Sequence, residues 1–305
     1  MAKKVQNINL LMECAKRFSQ KPWYSIDWLN SLMGRLAFLN DDEVNLILDL
    51  TERFQYLGLN DFNSMLRNAF NKIPVSRLNA ATRILFAPLK SPYHIIEDKK
   101  WKKRLRAEGW DGRIMAPPAK SCDFIFRVML FDYPQKYQQY AGKIRICSTP
   151  QDIERHYIDG SIIVLWDDFV GSGGTAFTAI AGIQHYLYVN GKTTLENNYV
   201  VVSMCAMQGG IDLLRYFNLD CFADNVYGKA ISDDVRYSAA ERAQRKAFMQ
   251  SAERKVVKKA LKDYSLGYEH SEAILSIMDR CPNNTFPIYW FKSQHNVAPI
   301  FYRQK

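Results

Sequence analysis

Residues 161–180 have the sequence SIIVLWDDFVGSGGTAFTAI, and this stretch decides the fold of the chain around it. The apolar run at 162–166 is typical of a strand that is covered on both faces, as in a parallel sheet. Asp167 and Asp168 stand at the predicted end of this strand, and the glycines of the GSGG segment that follows permit a tight turn. Thr175 is predicted to cap a helix over residues 176–189. The pattern thus predicts a strand, a turn and a helix, with two carboxylates at the junction.

This predicted turn is suited to bind a phosphate group. Its glycines and the start of the helix direct several main-chain N–H groups toward one point. The two carboxylates beside it can accept hydrogen bonds from vicinal hydroxyls or hold a magnesium ion. A sugar phosphate is therefore the predicted ligand, and the predicted phosphate-binding residues are Gly171, Ser172, Gly173, Gly174 and Thr175.

Three other interpretations of this stretch make different demands on the sequence. A Walker-type ATPase needs GxxxxGK[ST] after another strand, and the GKT at 191–193 lacks the earlier glycine and follows a predicted helix, so this interpretation fails. A dinucleotide site can use Gly171, Gly173 and Ala176 as G-x-G-x-x-A. It expects an acidic residue at the end of the next strand, whereas Glu196 precedes the next apolar run. A plain strand-to-helix turn with surface aspartates stays open.

The segment IVLWDDFVGSGGT at 163–175 resembles the signature of type I phosphoribosyltransferases. It departs from that signature at Trp166 and Phe169, which are bulky, and at Gly171, where a small β-branched or hydroxyl residue is usual. A closer resemblance is to the phosphoribosyltransferase-like family predicted in bacterial conflict systems. The motifs that carry it are KSCD at 120–123, DDFVGSGGT at 167–175 and PNNTFPIYW at 282–290. The resemblance covers roughly the last three quarters of the chain.

The resemblance implies a ligand, a cofactor and a set of site residues. Phosphoribosyl diphosphate would be the substrate or ligand and Mg²⁺ the cofactor, with Asp167 and Asp168 as catalytic residues that hold the ribose hydroxyls directly or through the metal. Further residues would bind the pyrophosphate, namely Lys90, Ser91, Lys120 and Ser121, or form a hood over the acceptor, namely Asn283, Asn284 and Trp290. For Lys90 and Ser91, a plain turn stays open as the alternative, and for Lys120 and Ser121 a helix capped by the serine. For the hood segment, a Pro-Asn-Asn turn stays open.

The same resemblance implies a biological role. The chain would be a phosphoribosyltransferase-like effector of a bacterial antiviral defence system, beside partners such as a retron reverse transcriptase. Whether it is an enzyme stays open, because Trp166 and Phe169 would narrow the site and the sequence shows no unambiguous general base for an acceptor. The alternative is a catalytically silent subunit on the same fold, which senses a nucleotide or associates with nucleic acid.

The remaining predicted elements alternate between strand and helix. This order favours an α/β fold with a parallel sheet and helices on both faces. Apolar residues at helical spacing before residue 72 predict an N-terminal helical unit. The predicted domains are residues 1–75 and 76–305, the second with a helical insertion near 235–264. The predicted strands are at 84–89, 143–147, 199–204, 221–226 and 286–291.

The chain carries a formal net charge of +10, which favours a polyanionic partner or ligand. Its densest basic segment is DKKWKKRLR at 98–106, in which the cations surround Trp101. A contact with nucleic acid or a phosphorylated ligand and a solvated helix face both fit this segment. The candidate nucleic-acid contacts are Lys99, Lys100, Lys102 and Lys103.

The composition, with 48% apolar and 24% charged residues, is that of an ordinary globular protein. No apolar run approaches the roughly 20 residues of a membrane span, and the N-terminus lacks a signal-peptide pattern. The 6 cysteines include no C-x-x-C pair, which fits reduced thiols. We therefore expect a cytoplasmic protein without a membrane partner, present as an oligomer or in a complex.

Overall fold

The computed structural model describes residues 2–90, 126, 137–257, 264–278 and 280–301. Contacts between Cα atoms divide the chain into two compact units, the first formed by Met1–Leu59 with Tyr227–Lys305 and the second by Asn60–Val226. This division by contacts differs from the domains predicted from the sequence, which placed a boundary near residue 75. The predicted limits of the domains stay a prediction.

The described part of the chain contains both helices and strands. The helices are α1 (Ala2–Phe18), α2 (Ile26–Leu36), α3 (Asp41–Glu52), α4 (Leu59–Asn71), α5 (Val75–Ala80), α6 (Pro150–His156), α7 (Gly174–Val189), α8 (Gln208–Tyr216), α9 (Ala239–Val256) and α10 (Pro287–Trp290). The strands are β1 (Gln55–Leu57), β2 (Ile84–Pro88), β3 (Ile144–Ile146), β4 (Ile162–Val170), β5 (Tyr199–Met207), β6 (Asp220–Tyr227) and β7 (Leu275–Ile277).

A five-stranded sheet with the strand order β3-β2-β4-β5-β6 forms the centre of the second unit. The strand pairs β2–β3, β2–β4 and β4–β5 are parallel. Strand β4 therefore lies in the middle, and its side chains at 162–166 are buried, as expected for a strand covered on both faces. This arrangement confirms the predicted α/β fold with a parallel sheet.

Helices cover both faces of this sheet. On one face, apolar side chains of β2, β4 and β5 form a cluster with side chains of α6, α7 and α8, among them Ile153, Ile183 and Leu214. On the other face, the ring of Trp166 stacks on Phe70 of α4, with centroids 5.7 Å apart and planes 11° apart. The continuous apolar run of β4 is explained by these two layers.

Strand β4 is longer than the sequence predicted. The prediction ended the strand at Asp167 and Asp168, but the ladder continues to Val170, where Phe169 pairs with Cys205 and Val170 with Ala206. The prediction was wrong because the next strand also runs on, to Met207, so the main chain past the acidic pair still has a partner. The acidic pair therefore lies inside β4, and Phe169 and Val170 follow it before the strand ends.

The first unit is mainly helical and contains the two-stranded parallel sheet β1–β7. Its core joins apolar side chains of α2 and α3 with those of α9 and α10, and the guanidinium of Arg35 lies inside it, 1% exposed. Arg35 donates to the carbonyl oxygens of Ile288, Phe291 and Ala298. The planar guanidinium group of arginine presents several N–H donors in fixed directions and can reach all three carbonyl oxygens, unlike the compact ammonium group of lysine.

Two local predictions in the first unit had different outcomes. Of the two caps that the sequence offers for this helix, Ser238 and Asp234, the structure confirms Ser238, which forms a capping box with Glu241. The predicted strand at 286–291 was wrong, because the residues form the short helix α10 instead. Pro287 stands in the first turn of that helix, where its fixed φ and missing N–H favour a helix start.

None of the helices in the described part of the chain combines the length and the apolar character needed to cross a bilayer.

Candidate functional site

The acidic pair lies on the central strand β4, and its two members differ in environment. Asp167 is 8% exposed and its Oδ1 atom accepts a hydrogen bond from the main-chain N–H of Asp168, at 2.9 Å. Asp168 is partly exposed. Two adjacent carboxylates, one buried and one partly exposed, thus lie near the carboxyl end of the central strand. In parallel sheets this is the edge where ligands bind.

The thiol of Cys205 on the neighbouring strand lies beside the acidic pair. It is fully buried and its sulfur donates to the carbonyl oxygen of Asp168, at 3.7 Å. Burial raises the pKa of Cys205 well above its usual value, and the negative charges of Asp168 and Asp167 raise it further. The thiolate is the nucleophilic form of cysteine. Cys205 therefore serves packing and is not a candidate nucleophile.

The glycine loop after β4 leads directly into α7. Gly173 is the N-cap of the helix, with φ of +84°, a left-handed conformation that glycine adopts without strain. No side chain of the described residues caps this helix start. The predicted cap at Thr175 was therefore wrong, because the helix begins at Gly174 and Thr175 stands exposed in its first turn. The first N–H groups of an α-helix lack partners within the helix, so they can donate to an anion.

The five predicted phosphate-binding residues lie together around this helix start. Gly173 is buried, Gly171, Ser172 and Gly174 are partly exposed, and Thr175 is exposed. The loop thus combines a fixed backbone with an accessible rim. A helix start with exposed small residues can bring its main-chain donors close to a phosphate oxygen.

A second pair of glycines, not singled out from the sequence, stands at the start of α8, and one of the two lies against this loop. Gly209 and Gly210 belong to the first turn of α8, which follows β5. A Cβ atom placed on Gly210 would lie 2.2 Å from the carbonyl oxygen of Gly171. The signal in the sequence was a glycine pair directly after the strand that neighbours β4, since successive parallel strands bring their carboxyl ends to one edge.

Lys90 lies at the same edge of the sheet as the acidic pair. The preceding residue, Leu89, donates its main-chain N–H to the carbonyl oxygen of Trp166, at 2.8 Å. Lys90 therefore follows β2 at the level at which β4 reaches Asp167. It is 5% exposed. The other predicted pyrophosphate ligands, Ser91, Lys120 and Ser121, and the predicted nucleic-acid contacts, Lys99, Lys100, Lys102 and Lys103, lie outside the described residues.

Trp166 lies in the core and does not line the glycine loop at 171–174. Its side chain is fully buried and packs edge-on against Phe86 as well as stacking on Phe70. The expectation that Trp166 narrows the site was therefore wrong, because the large side chain fills the layer between the sheet and α4. Phe169 is partly exposed.

The predicted hood residues belong to the first unit. Asn284 is 6% exposed and its amide donates to Ser271 Oγ, at 2.7 Å. Trp290 is 8% exposed and its indole N–H donates to the carbonyl oxygen of Thr285, at 2.8 Å. The main-chain N–H of Thr285 donates a hydrogen bond to the carbonyl oxygen of Pro282 and closes a turn that contains Asn283. Asn283 is partly exposed. Turn formation and internal hydrogen bonding thus account for the segment, and its contact with an acceptor stays a prediction.

The carboxylates fit a magnesium ion only when a ligand supplies further oxygens. Within the described residues, no group of three or more His, Cys, Asp and Glu side chains is arranged to hold a metal ion. Mg²⁺ is commonly bound through one or two carboxylates together with water and substrate phosphates. Asp167 and Asp168 provide such hard oxygen donors, and a diphosphate would complete the set.

A parallel sheet with helices on both faces, an acidic pair on its central strand and a glycine-capped helix after it define a phosphoribosyltransferase-like α/β protein. The chain belongs to the PRTase-CE family, a phosphoribosyltransferase-like family whose model matches residues 26–303. Comparison with curated proteins and with solved structures found no match. The family match confirms the resemblance and extends it to α2 and α3.

Proposed function

We propose that the chain binds phosphoribosyl diphosphate, or a related nucleotide, and transfers the phosphoribosyl group to an acceptor. The observation that carries the proposal is the start of α7, which a glycine caps without a hydrogen bond from any described side chain, next to two carboxylates on β4. The first turn of α7 would receive the 5′-phosphate. Asp167 and Asp168 would hold the ribose hydroxyls. Together they fix both ends of the sugar.

In the proposed reaction, the bond between carbon 1 of the ribose and the diphosphate oxygen breaks. The electron pair leaves with the diphosphate, and an acceptor nitrogen or oxygen then bonds to carbon 1 and releases its proton to solvent. Bound Mg²⁺ would neutralise charge on the leaving diphosphate. The carboxylates of Asp167 and Asp168 would stabilise the positive charge that develops on the ribose ring, because preorganised charges act strongly where water is excluded.

Further parts of the proposal extend the site and its setting. Lys90, at the same sheet edge, would contribute a positive charge to the diphosphate, together with Ser91, Lys120 and Ser121. Asn283, Asn284 and Trp290 would form the acceptor hood. We place the protein in the cytoplasm, as an effector of a bacterial antiviral defence system with a reverse transcriptase or nucleic acid as partner. The five free cysteines among the described residues fit a reducing compartment.

A second candidate function is a catalytically silent nucleotide-binding subunit. The observation that favours it is the state of Asp167, which is 8% exposed and already accepts the N–H of Asp168. A carboxylate engaged in this way holds the backbone of the strand and has less capacity left for a ligand. In this case the glycine loop would bind the phosphate without turnover.

The test measures binding and turnover on the same protein. Calorimetry with phosphoribosyl diphosphate and Mg²⁺ reports binding, and release of pyrophosphate with a mass spectrum of the products reports transfer. Ser172→Asp places a carboxylate at the phosphate site and should abolish binding by repulsion. Ser64→Asp, on an exposed position of α4, is the matched control. Binding without pyrophosphate release supports the silent subunit, and a protein that binds neither phosphoribosyl diphosphate nor a nucleotide contradicts both candidates.

A further inference from the structure

The phosphate loop and the start of α8 approach each other through glycine backbones. A Cβ atom on Gly210 would lie 2.2 Å from the carbonyl oxygen of Gly171 and 3.1 Å from the main-chain nitrogen of Gly173. A Cβ atom on Gly173 would lie 2.7 Å from the carbonyl oxygen of Gly210. Real Cβ atoms essentially never come closer than 3.0 Å to such atoms. Neither glycine therefore accepts a side chain unless the backbone moves, and the movement needed is larger at Gly210 than at Gly173.

The approach involves one face of α8. Leu213 stands three residues after Gly210, which places the two on the same side of the helix. Its Cδ2 atom lies 3.3 Å from the Cβ position of Gly173. Gly209, one residue before Gly210, faces away: a Cβ atom on it would meet nothing within 4 Å. The contact with the loop thus depends on Gly210 and Leu213 and not on glycine content in general.

Packing, and not conformational freedom, is what requires glycine at position 210. Gly210 is buried and has no left-handed φ, so its backbone conformation is open to any residue. Gly173 differs, because it is confined by the contact and also holds a left-handed φ of +84°. The loop conformation that caps α7 is therefore formed against a rigid surface, which the first turn of α8 supplies.

We propose that Gly210 and Leu213 are positioning residues of the phosphate loop. They hold the main chain of Gly171–Gly173 in place, and through it the direction in which the first N–H groups of α7 point. Neither residue has to touch the ligand. The inference rests on the proposed phosphate site, and it adds a second helix to the parts of the protein that determine phosphate affinity.

The test compares two alanine substitutions that differ by one residue. Gly210→Ala inserts a methyl group where there is no room, and Gly209→Ala adds the same group in open space. The probe is ribose 5-phosphate, titrated by calorimetry well below the melting temperature of each variant. We expect affinity to fall by at least about tenfold in Gly210→Ala and to stay within about twofold in Gly209→Ala, because small displacements of binding groups are costly.

The readings on stability separate positioning from a general loss of structure. Both substitutions replace glycine by alanine, which forms helices more readily, so neither should weaken α8 through helix propensity. If Gly210→Ala folds but binds ribose 5-phosphate weakly, the conformation of the loop has therefore changed and the helix has not been lost. If Gly210→Ala does not fold, Leu213→Ala decides, with Tyr216→Ala as control, since Tyr216 is 81% exposed on the same helix. We expect Leu213→Ala alone to weaken binding severalfold.

Two results would overturn the inference, and they can be told apart. The positioning role is contradicted if Gly210→Ala and Gly209→Ala bind ribose 5-phosphate with equal affinity. If Gly210→Ala does not fold, an unchanged affinity of Leu213→Ala contradicts it instead. Either result leaves the proposed phosphate site intact. A protein of natural sequence that binds neither ribose 5-phosphate nor phosphoribosyl diphosphate removes the proposed site itself, and the positioning role with it.

Discussion

The carboxylate of Glu253 accepts the main-chain N–H of Leu266, with both carboxylate oxygens 3.2 Å from the nitrogen. Glu253 is fully buried on α9, and it also accepts from Ser265 Oγ, at 3.0 Å. Leu266 has a left-handed φ of +60°, which is uncommon for a leucine. A buried carboxyl group therefore fixes a strained backbone position. Burial raises the pKa of Glu253 from 4.5 to about 8, and its two hydrogen bonds offset only part of that effect.

The raised pKa predicts that the first unit loses stability as the pH increases. Between pH 4.5 and about 8 the folded protein holds a proton on Glu253 that the unfolded chain has released, so the free energy of unfolding falls across this window. Glu253→Gln keeps an acceptor for Leu266 and cannot ionise. We expect it to remove this slope and to stabilise the protein above pH 8 by an amount on the order of a few kcal/mol.

Urea unfolding of both proteins across this pH range checks the prediction. Glu13→Gln is the control, because Glu13 is exposed on α1 and its replacement should leave the slope unchanged. Parallel pH profiles for Glu253→Gln and the natural sequence would show that Glu253 does not carry a proton in the folded state.

The acidic pair separates the enzyme from the silent binder. Asp167→Asn with Asp168→Asn keeps the size of both side chains, and the new amide at 167 can still accept the N–H of residue 168. We expect the double variant to lose pyrophosphate release and the dependence of affinity on Mg²⁺, with its melting temperature kept, because carboxylate repulsion is relieved. Asp159→Asn, on the exposed turn before β4, controls for the loss of negative charge. Full turnover by a folded double variant would contradict the catalytic role.

The prediction for Trp166 concerns stability and not binding. Its ring is buried between the sheet and α4, and its Nε1 atom has no hydrogen-bond partner among the described residues. Trp166→Phe therefore removes no hydrogen bond and should cost about 1–2 kcal/mol, whereas Trp166→Ala leaves a cavity and should cost about 3–5 kcal/mol. Urea unfolding measures both values. Weakened ribose 5-phosphate binding by a stable Trp166→Phe variant would place the residue at the site after all.

The basic segment provides a prediction about nucleic acid. Replacing Lys99, Lys100, Lys102 and Lys103 by glutamate should weaken binding to RNA or DNA. It should also flatten the salt dependence, since each neutralised phosphate contributes about one unit to the log–log slope. The matched control replaces the same four lysines by arginine, which keeps the charge. An affinity and slope that glutamate leaves unchanged would assign the segment to solvated surface.

Local signals in the sequence predicted the centre of the fold. The apolar run of β4, the glycine loop and the helix α7 follow one another directly between Ile162 and Val189, and short-range patterns determine each of them. The strand at Tyr199 was found for the same reason, although its end was not. The family motif at 167–175 then predicted a ligand class for this strand, loop and helix.

Contacts between distant residues were beyond the reach of those signals. The extension of β4 to Val170 depends on a partner at Ala206, and the burial of Trp166 depends on Phe70, nearly a hundred positions earlier. The close contact of Gly210 with Gly171 likewise joins two main-chain segments, and no periodic pattern in the sequence predicts it. The sequence therefore predicts which residues form the glycine loop at 171–174, but not which residues hold it in shape.

The first unit combines the beginning of the chain, Met1–Leu59, with its last part, Tyr227–Lys305. On the ribosome, α2 and α3 emerge long before α9 and α10, with which they share one apolar core. Because translation adds roughly 5–20 residues per second, α9 and α10 are synthesised many seconds after α2 and α3. Side chains such as Leu32, Leu46 and Ile47, buried in the finished unit, stay uncovered on the nascent chain meanwhile. Helices α2 and α3 can thus complete their folding only after α9 and α10 have been translated, and a chaperone that shields α2 and α3 would act during this interval.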